Sequence, residues 1–124
     1  QTANRDKALE LLQRARRLSP RDPRGWFMEL AIGIAHFGAG RFEDAASAVR
    51  QSLDQNPRYA QALRLLAATL AMLGQRDRAA EIMQEVLKME PQLTLTRLRA
   101  RLQGVDEGLW SKWSEGLRLA GLPE

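Results

Sequence analysis

Apolar residues recur at three- and four-residue intervals along almost the whole of this 124-residue chain, and the strict alternation of a half-buried strand is absent. That periodicity predicts seven helices. The first, about 4–18, sets Ala8, Leu11, Leu12, Ala15 and Leu18 on one stripe and stops where Pro20 denies the helix a hydrogen bond. Asp22 suits an N-cap and Pro23 a first helical position, so the second helix is read over 23–38; Gly40 ends it by tolerating a left-handed backbone. A third helix covers 42–55. Asn56-Pro57 repeats the cap-plus-proline start for a fourth over 57–73, which Gly74 terminates. A fifth covers 76–89 and ends near Pro91, and a short sixth lies at about 94–102. The last, 107–120, follows a capping Asp106 and closes at Gly121 and Pro123.

The phrase AGRFEDAA at 39–46 returns as LGQRDRAA at 73–80, 34 residues later. Laying 26–59 over 60–93 pairs Gly40 with Gly74, Ala45 with Ala79, Ala46 with Ala80, Leu53 with Leu87 and Pro57 with Pro91. Gly33 falls on Ala67 and Val49 on Met83. Ala8, Leu12, Ala15 and Pro20 repeat the spacing of Ala45, Val49, Ser52 and Pro57, a third and partial copy. Helix pairs with short loops at a fixed period are stacked hairpins.

The stretch IGIAHFGAGRFEDAASAVRQSLDQNP, with Ile32, Gly33, His36, Gly40, Phe42, Ala45, Val49, Ser52 and Pro57 at the motif positions, resembles a tetratricopeptide repeat. The second copy offers Leu66, Ala67, Leu70, Gly74, Ala79, Met83, Val86 and Pro91. His36 and Leu70 depart from the usual aromatic, and Val86 from the usual small residue. The resemblance implies an all-α fold, a right-handed α-solenoid of helical hairpins. It divides the chain into a partial repeat helix (1–22), repeats at 23–57 and 58–91, and an incomplete repeat with a capping helix (92–124). It also implies that the first helix of each pair lines a concave groove. The groove positions are then Phe27, Leu30, Ile34 and Phe37, followed by Gln61, Arg64, Ala68 and Ala71, with Met72 at the edge and Leu95, Leu98 and Leu102 in the incomplete unit. The clamp by which some members of the family hold C-terminal carboxylates needs Lys, Asn and Arg. Only Arg64 is of that type, so chaperone-tail capture is not expected.

Composition narrows the classes without naming a chemistry. With 44% hydrophobic and 27% charged residues the chain is too apolar for disorder. No apolar run approaches the ~20 residues of a membrane span, and no secretory h-region follows a basic start. A chain beginning at Gln1 reads as a piece of a longer protein. Without cysteine there is no disulfide or thiolate chemistry, which fits a reducing, cytoplasmic setting. The net charge of +4 comes from sixteen Arg and three Lys against fifteen acids, a flag for polyanion contacts. The clusters Arg14, Arg16, Arg17, Arg21, Arg24 and Arg97, Arg99, Arg101 lie near helix ends, where cations meet the dipole and their stems cover apolar surface. No aromatic platform interleaves with them, so nucleic acid is the competing reading, not the favoured one.

No enzyme emerges. A metal site needs several converging ligands, and the chain has one histidine, His36, best read as a half-buried packing residue. Ser47, Ser52, Ser111 and Ser114 have no assured base. Glu43-Asp44 and Asp106-Glu107 sit where helices begin and suit the dipole there. GAG at 38–40 has neither the preceding strand nor the following Lys-Ser/Thr of a phosphate loop. No catalytic residue, metal or cofactor is expected.

Four large apolar groove residues in one unit need a cover or a partner. The last helix carries Leu109, Trp113 and Leu117 on one stripe, widened by Trp110, and is too apolar to stand free. Capping the last hairpin is the favoured role, with insertion into the groove or pairing in a homodimer as alternatives. The expected partner is a protein or peptide, within the same parent chain or outside it. A softer resemblance covers the whole chain. ALELLQRARRLSPRDP, AHFGAGRFEDA and the ending EGLRLAGLPE are similar to the C-terminal region of certain bacterial class III adenylate/guanylate cyclases, and to tails of repeat proteins with a winged-helix DNA-binding front. That implies a regulatory or interaction segment of a signalling protein.

Overall fold

Helix ends fall where glycine frees the backbone. The computed structural model describes residues 2–18, 25–102 and 104–124. Its elements are α1 (Thr2–Leu18), α2 (Gly25–Gly38), α3 (Phe42–Gln55), α4 (Ala60–Met72), α5 (Arg76–Met89), α6 (Leu95–Arg101) and α7 (Glu107–Ala120), with no strand among the described residues. The expected cap Asp22 with Pro23, and Arg21 and Arg24, lie outside the described residues. Gly40 and Gly74 have φ of 82° and 85°. Around them the two repeats close by the same bonds. The Arg41 amide donates to the His36 carbonyl and the Gln75 amide to that of Leu70, both at 2.9 Å. This is the left-handed helix stop that a side chain at either position would strain.

Of two helix starts read from the sequence, one is as expected and one is not. Asp106 caps α7, its carboxylate accepting from the Leu109 amide at 2.9 Å. Asn56 does not cap α4. Its amide donates to the Ser52 carbonyl at 3.0 Å, so it closes α3, and α4 begins only at Ala60. Pro57 therefore sits in the turn between the helices, since the preceding residue still belongs to the earlier one.

The chain stacks by hairpins: α2 on α3, α4 on α5, and α3 on α4 between them. Ala45, Val49, Ala62, Ala67, Leu70, Ala79, Met83 and Val86 are buried at their centre. A Cβ built on Gly33 would lie 2.8 Å from Val49 Cγ2, so α2 and α3 approach as closely as they do only because that position is glycine. The Ser52 hydroxyl donates to the Trp26 carbonyl at 2.6 Å and ties the end of α3 to the start of α2. On the far side, α1 lays Leu9 and Leu12 against Ile32, Ala35 and Ala48.

The last helix crosses the inner side of the stack. α7 packs chiefly on α4 and also reaches α2, α5 and α6. Leu117, Ala120 and Leu122 are buried there. The tail then returns to α6: the Leu95 amide donates to the Pro123 carbonyl at 2.8 Å and the Thr96 hydroxyl to that of Glu124 at 2.7 Å. Among the described residues no helix is long and apolar enough to cross a membrane.

Candidate binding groove

The eight positions expected to line a groove lie on α2 and α4, and they divide into a covered part and a more open one. Phe37 is fully buried, Leu30 is 3% exposed, and Ala68 and Ala71 are buried. Ile34 is 38% exposed and Phe27 55%. Gln61 is half-buried. Leu30, Ile34, Phe37 and Gln61 meet around one cavity, and the eight positions do not share one environment.

Small side chains create the covered part. A Cβ on Gly116 would fall 2.7 Å from the Ala68 carbonyl oxygen and 2.9 Å from the Ala68 Cβ, so α7 meets α4 at near backbone contact. Lys112 donates to the Gly38 carbonyl at 2.6 Å, placing a cation at the C-terminus of α2. The stripe of Leu109, Trp113 and Leu117 faces inward. Trp110 turns aside to α6, where the Arg99 guanidinium lies 5.2 Å from its ring centre.

Bulk on α2 keeps α7 from closing down completely. A cavity of about 180 Å³ remains, with Leu30, Ile34 and Phe37 on one side, Gln61 and Leu65 on another, and Leu109 and Trp113 across from them. Leu102 and Val105 complete its wall. The Trp113 indole nitrogen is buried and has no acceptor among the described residues.

The open part is aromatic. Trp26 meets Tyr59 edge-on at 4.8 Å and Phe27 at 6.0 Å. Trp26 and Tyr59 were not among the groove positions read from the sequence. Both flank the start of an inner helix, and only the fold brings them together. The Tyr59 hydroxyl donates to the Gln61 side-chain oxygen.

Arg64 is not displayed to a ligand. Its side chain is 8% exposed, with Nη1 4.0 Å from Glu90 Oε1, while Arg101 engages Oε2 of the same carboxylate. Burial, above all, pushes the Arg64 guanidinium below its usual range, with Glu90 opposing. A direct hydrogen bond from Arg101 holds the Glu90 carboxyl below the carboxylate range. Arg97 donates to Gln92 and Arg99 pairs with Glu107, so the arginines of α6 are engaged within the chain. His36 is half-buried, its Nδ1 accepting from Arg41 Nε at 3.0 Å, and Arg41 reaches Asp6 at 3.3 Å. Burial first, then the Arg41 charge, lowers the His36 pKa, while Asp44 raises it. Among the described residues no three His, Asp or Glu side chains converge as metal ligands would.

A family model described as tetratricopeptide repeat matches residues 30–94, just over half of the chain. No curated protein matches the chain significantly.

Proposed function

The chain belongs to the tetratricopeptide repeat family, and on that premise we propose that it docks a protein segment on the open end of its groove, around Phe27, Ile34 and Gln61. Tetratricopeptide repeats are protein-interaction modules, typically without chemistry of their own. The observation that carries the assignment is the exposure of Phe27, 55%, beside Trp26 and Tyr59. An exposed aromatic backed by half-buried ones is the kind of residue that dominates interface energies. The covered end, under α7, serves stability instead.

The finer identity rests on resemblance. EGLRLAGLPE and the repeats before it are similar to the C-terminal region of cyclase-like bacterial signalling proteins. On this reading the segment regulates a cytoplasmic nucleotide cyclase by holding either another part of the same parent or a separate protein. A cyclase signature in the parent sequence before Gln1 sustains this, and a winged-helix signature there replaces it.

Photo-crosslinking tests the surface. A benzophenone side chain replaces Phe27 in one variant and Glu81, exposed on α5, in another, each in the natural parent. The expected outcome is a discrete adduct from position 27 alone, its mass separating an intramolecular contact, a second copy and another protein. Equal labelling from both positions would remove the open end as the docking surface.

A further inference from the structure

We propose that the uncovered face of α1, around Ala8, Leu11 and Ala15, receives a partner helix of defined chemistry: amphipathic, with Gly or Ala where it crosses α1 and an acid on the edge beside that crossing. The two hairpins of this chain show what such a face takes. Ala8, Leu12 and Ala15 repeat the spacing of Ala45, Val49 and Ser52 on α3, and of Ala79, Met83 and Val86 on α5. Both of those sets are fully buried, and α2 and α4 lie over them. On α1 the same positions are exposed, half-buried and exposed. Leu11 beside them is 58% exposed, more than any other large apolar side chain among the described residues. Yet α1 is built into the stack as a hairpin's second helix is. Leu9 falls where α3 has Ala46, both buried, and α1 lies on α2 as α3 lies on α4. The end of a solenoid needs a polar outer face or a cover, and these three residues give no polar face.

The crossing sets the size of the occupant's central residue. In the first hairpin it is Gly33, where a Cβ would lie 2.8 Å from Val49 Cγ2; in the second it is Ala67. Leu12 stands in the place of Val49 and makes the same demand for a small residue. Charge sets the edge. Lys7 and Arg14 fall where α3 has Asp44 and Gln51. Asp44 acts through its charge on His36 of the covering helix, three residues beyond Gly33. A lysine in the place of Asp44 calls for Glu or Asp in the place of His36. The same two cations argue against a second copy. Two α1 helices paired antiparallel across Leu11 would set Lys7 of each beside Arg14 of the other, with Glu10 farther round the helix, and like charges so placed oppose the contact. This face shares no residue with the surface around Phe27, so it stands whether or not a segment docks there.

The probe is a fluorescent peptide of residues 25–40 bearing Phe27→Gln and Ile34→Gln, positions that the stack leaves exposed. One version adds His36→Glu and the other His36→Lys. Anisotropy should show saturable binding of one His36→Glu peptide per 124-residue chain, about threefold or more tighter than the His36→Lys peptide. Lys7→Glu in the chain should reverse that order. Ala8→Arg, at an exposed position, should weaken both peptides about tenfold or more without lowering the melting temperature. Absence of binding, or equal affinities for the two peptides, would overturn the proposal. Full binding by Ala8→Arg would overturn it as well, by placing the peptide elsewhere on the chain. A chain that sediments as a dimer and becomes a monomer on Leu11→Glu would make the second copy the occupant, which also overturns it.

Discussion

α2 and α4 hold equivalent places in successive hairpins, yet they meet different worlds. α4 is buried at every position from Arg64 to Ala71, whereas α2 leaves Phe27 and Ile34 in water. The cause is side-chain size at the groove positions. Ala68 and Ala71 let a third helix lie almost on the backbone, and Gly116 supplies the matching gap on α7. Leu30, Ile34 and Phe37 stand too tall for such a contact, so the same helix bridges them and leaves a cavity. One architecture thus yields a sealed surface and an open one through a change from large to small residues.

The sharpest way to break the comparison is a charge at each end. Phe37→Glu should cost ~3–5 kcal/mol or more and unfold the protein near room temperature, since it removes a buried aromatic and strands a carboxylate. Phe27→Glu should stay within about 0.5 kcal/mol. Denaturant titration of the two variants decides it, and equal losses would dissolve the distinction between the ends. Next comes Gly116→Val, which drives a branched side chain into Ala68 and should cost about 2–4 kcal/mol. A melt indistinguishable from the parent would mean that α7 does not press on α4 in solution.

A smaller effect compares the repeats themselves. Where the first has Gly33 against Val49, the second has Ala67 and Met83, both fully buried. Gly33→Ala gains helix propensity but pushes a methyl into a stiff β-branched neighbour, for a net loss of about 1 kcal/mol. Adding Val49→Met imports the second repeat's pair, and its flexible thioether should recover most of that loss. If the double variant melts no higher than Gly33→Ala, the two repeats are not interchangeable at this crossing.

The smallest effect is a pH slope. His36 is held below its ordinary value by burial and by Arg41, so the unfolded chain takes up a proton more readily. Its contribution is complete above the unfolded value of 6.5 and is lost as pH falls toward the lower folded value. Melting temperature should therefore decline between about pH 7.5 and 5.5, the range where histidine titrates. His36→Gln should flatten that decline, and an unchanged slope would assign it elsewhere.

Much of the fold was legible because it is written locally. Gly40, Gly74 and Gly121 announce helix ends by a conformation that belongs to their own backbone. Asp106 caps the helix that follows it. Asn56-Pro57 misled because a cap and the close of the preceding helix use the same residue types, and the choice lies in where the Asn56 amide points. The stripe of Leu109, Trp113 and Leu117 showed that the last helix must bury a face, though not against what. That depends on Gly116 meeting Ala68, and neither residue carries any local mark of the other. The aromatic pairing of Trp26 with Tyr59 was hidden for the same reason.

The Ala68–Gly116 crossing also bears on the order of events during folding. The hairpins α2–α3 and α4–α5 join neighbours in sequence, whereas this contact closes a long loop that includes α5 and α6. Loop closure is costly before the contacts that reward it exist. The stack should therefore be built in the transition state, with α7 arriving late. A lesion at Gly116 should then show itself chiefly as faster unfolding, with the refolding rate little changed. A chevron plot reads this directly, and it makes the last helix a kinetic latch on a stack that has already formed.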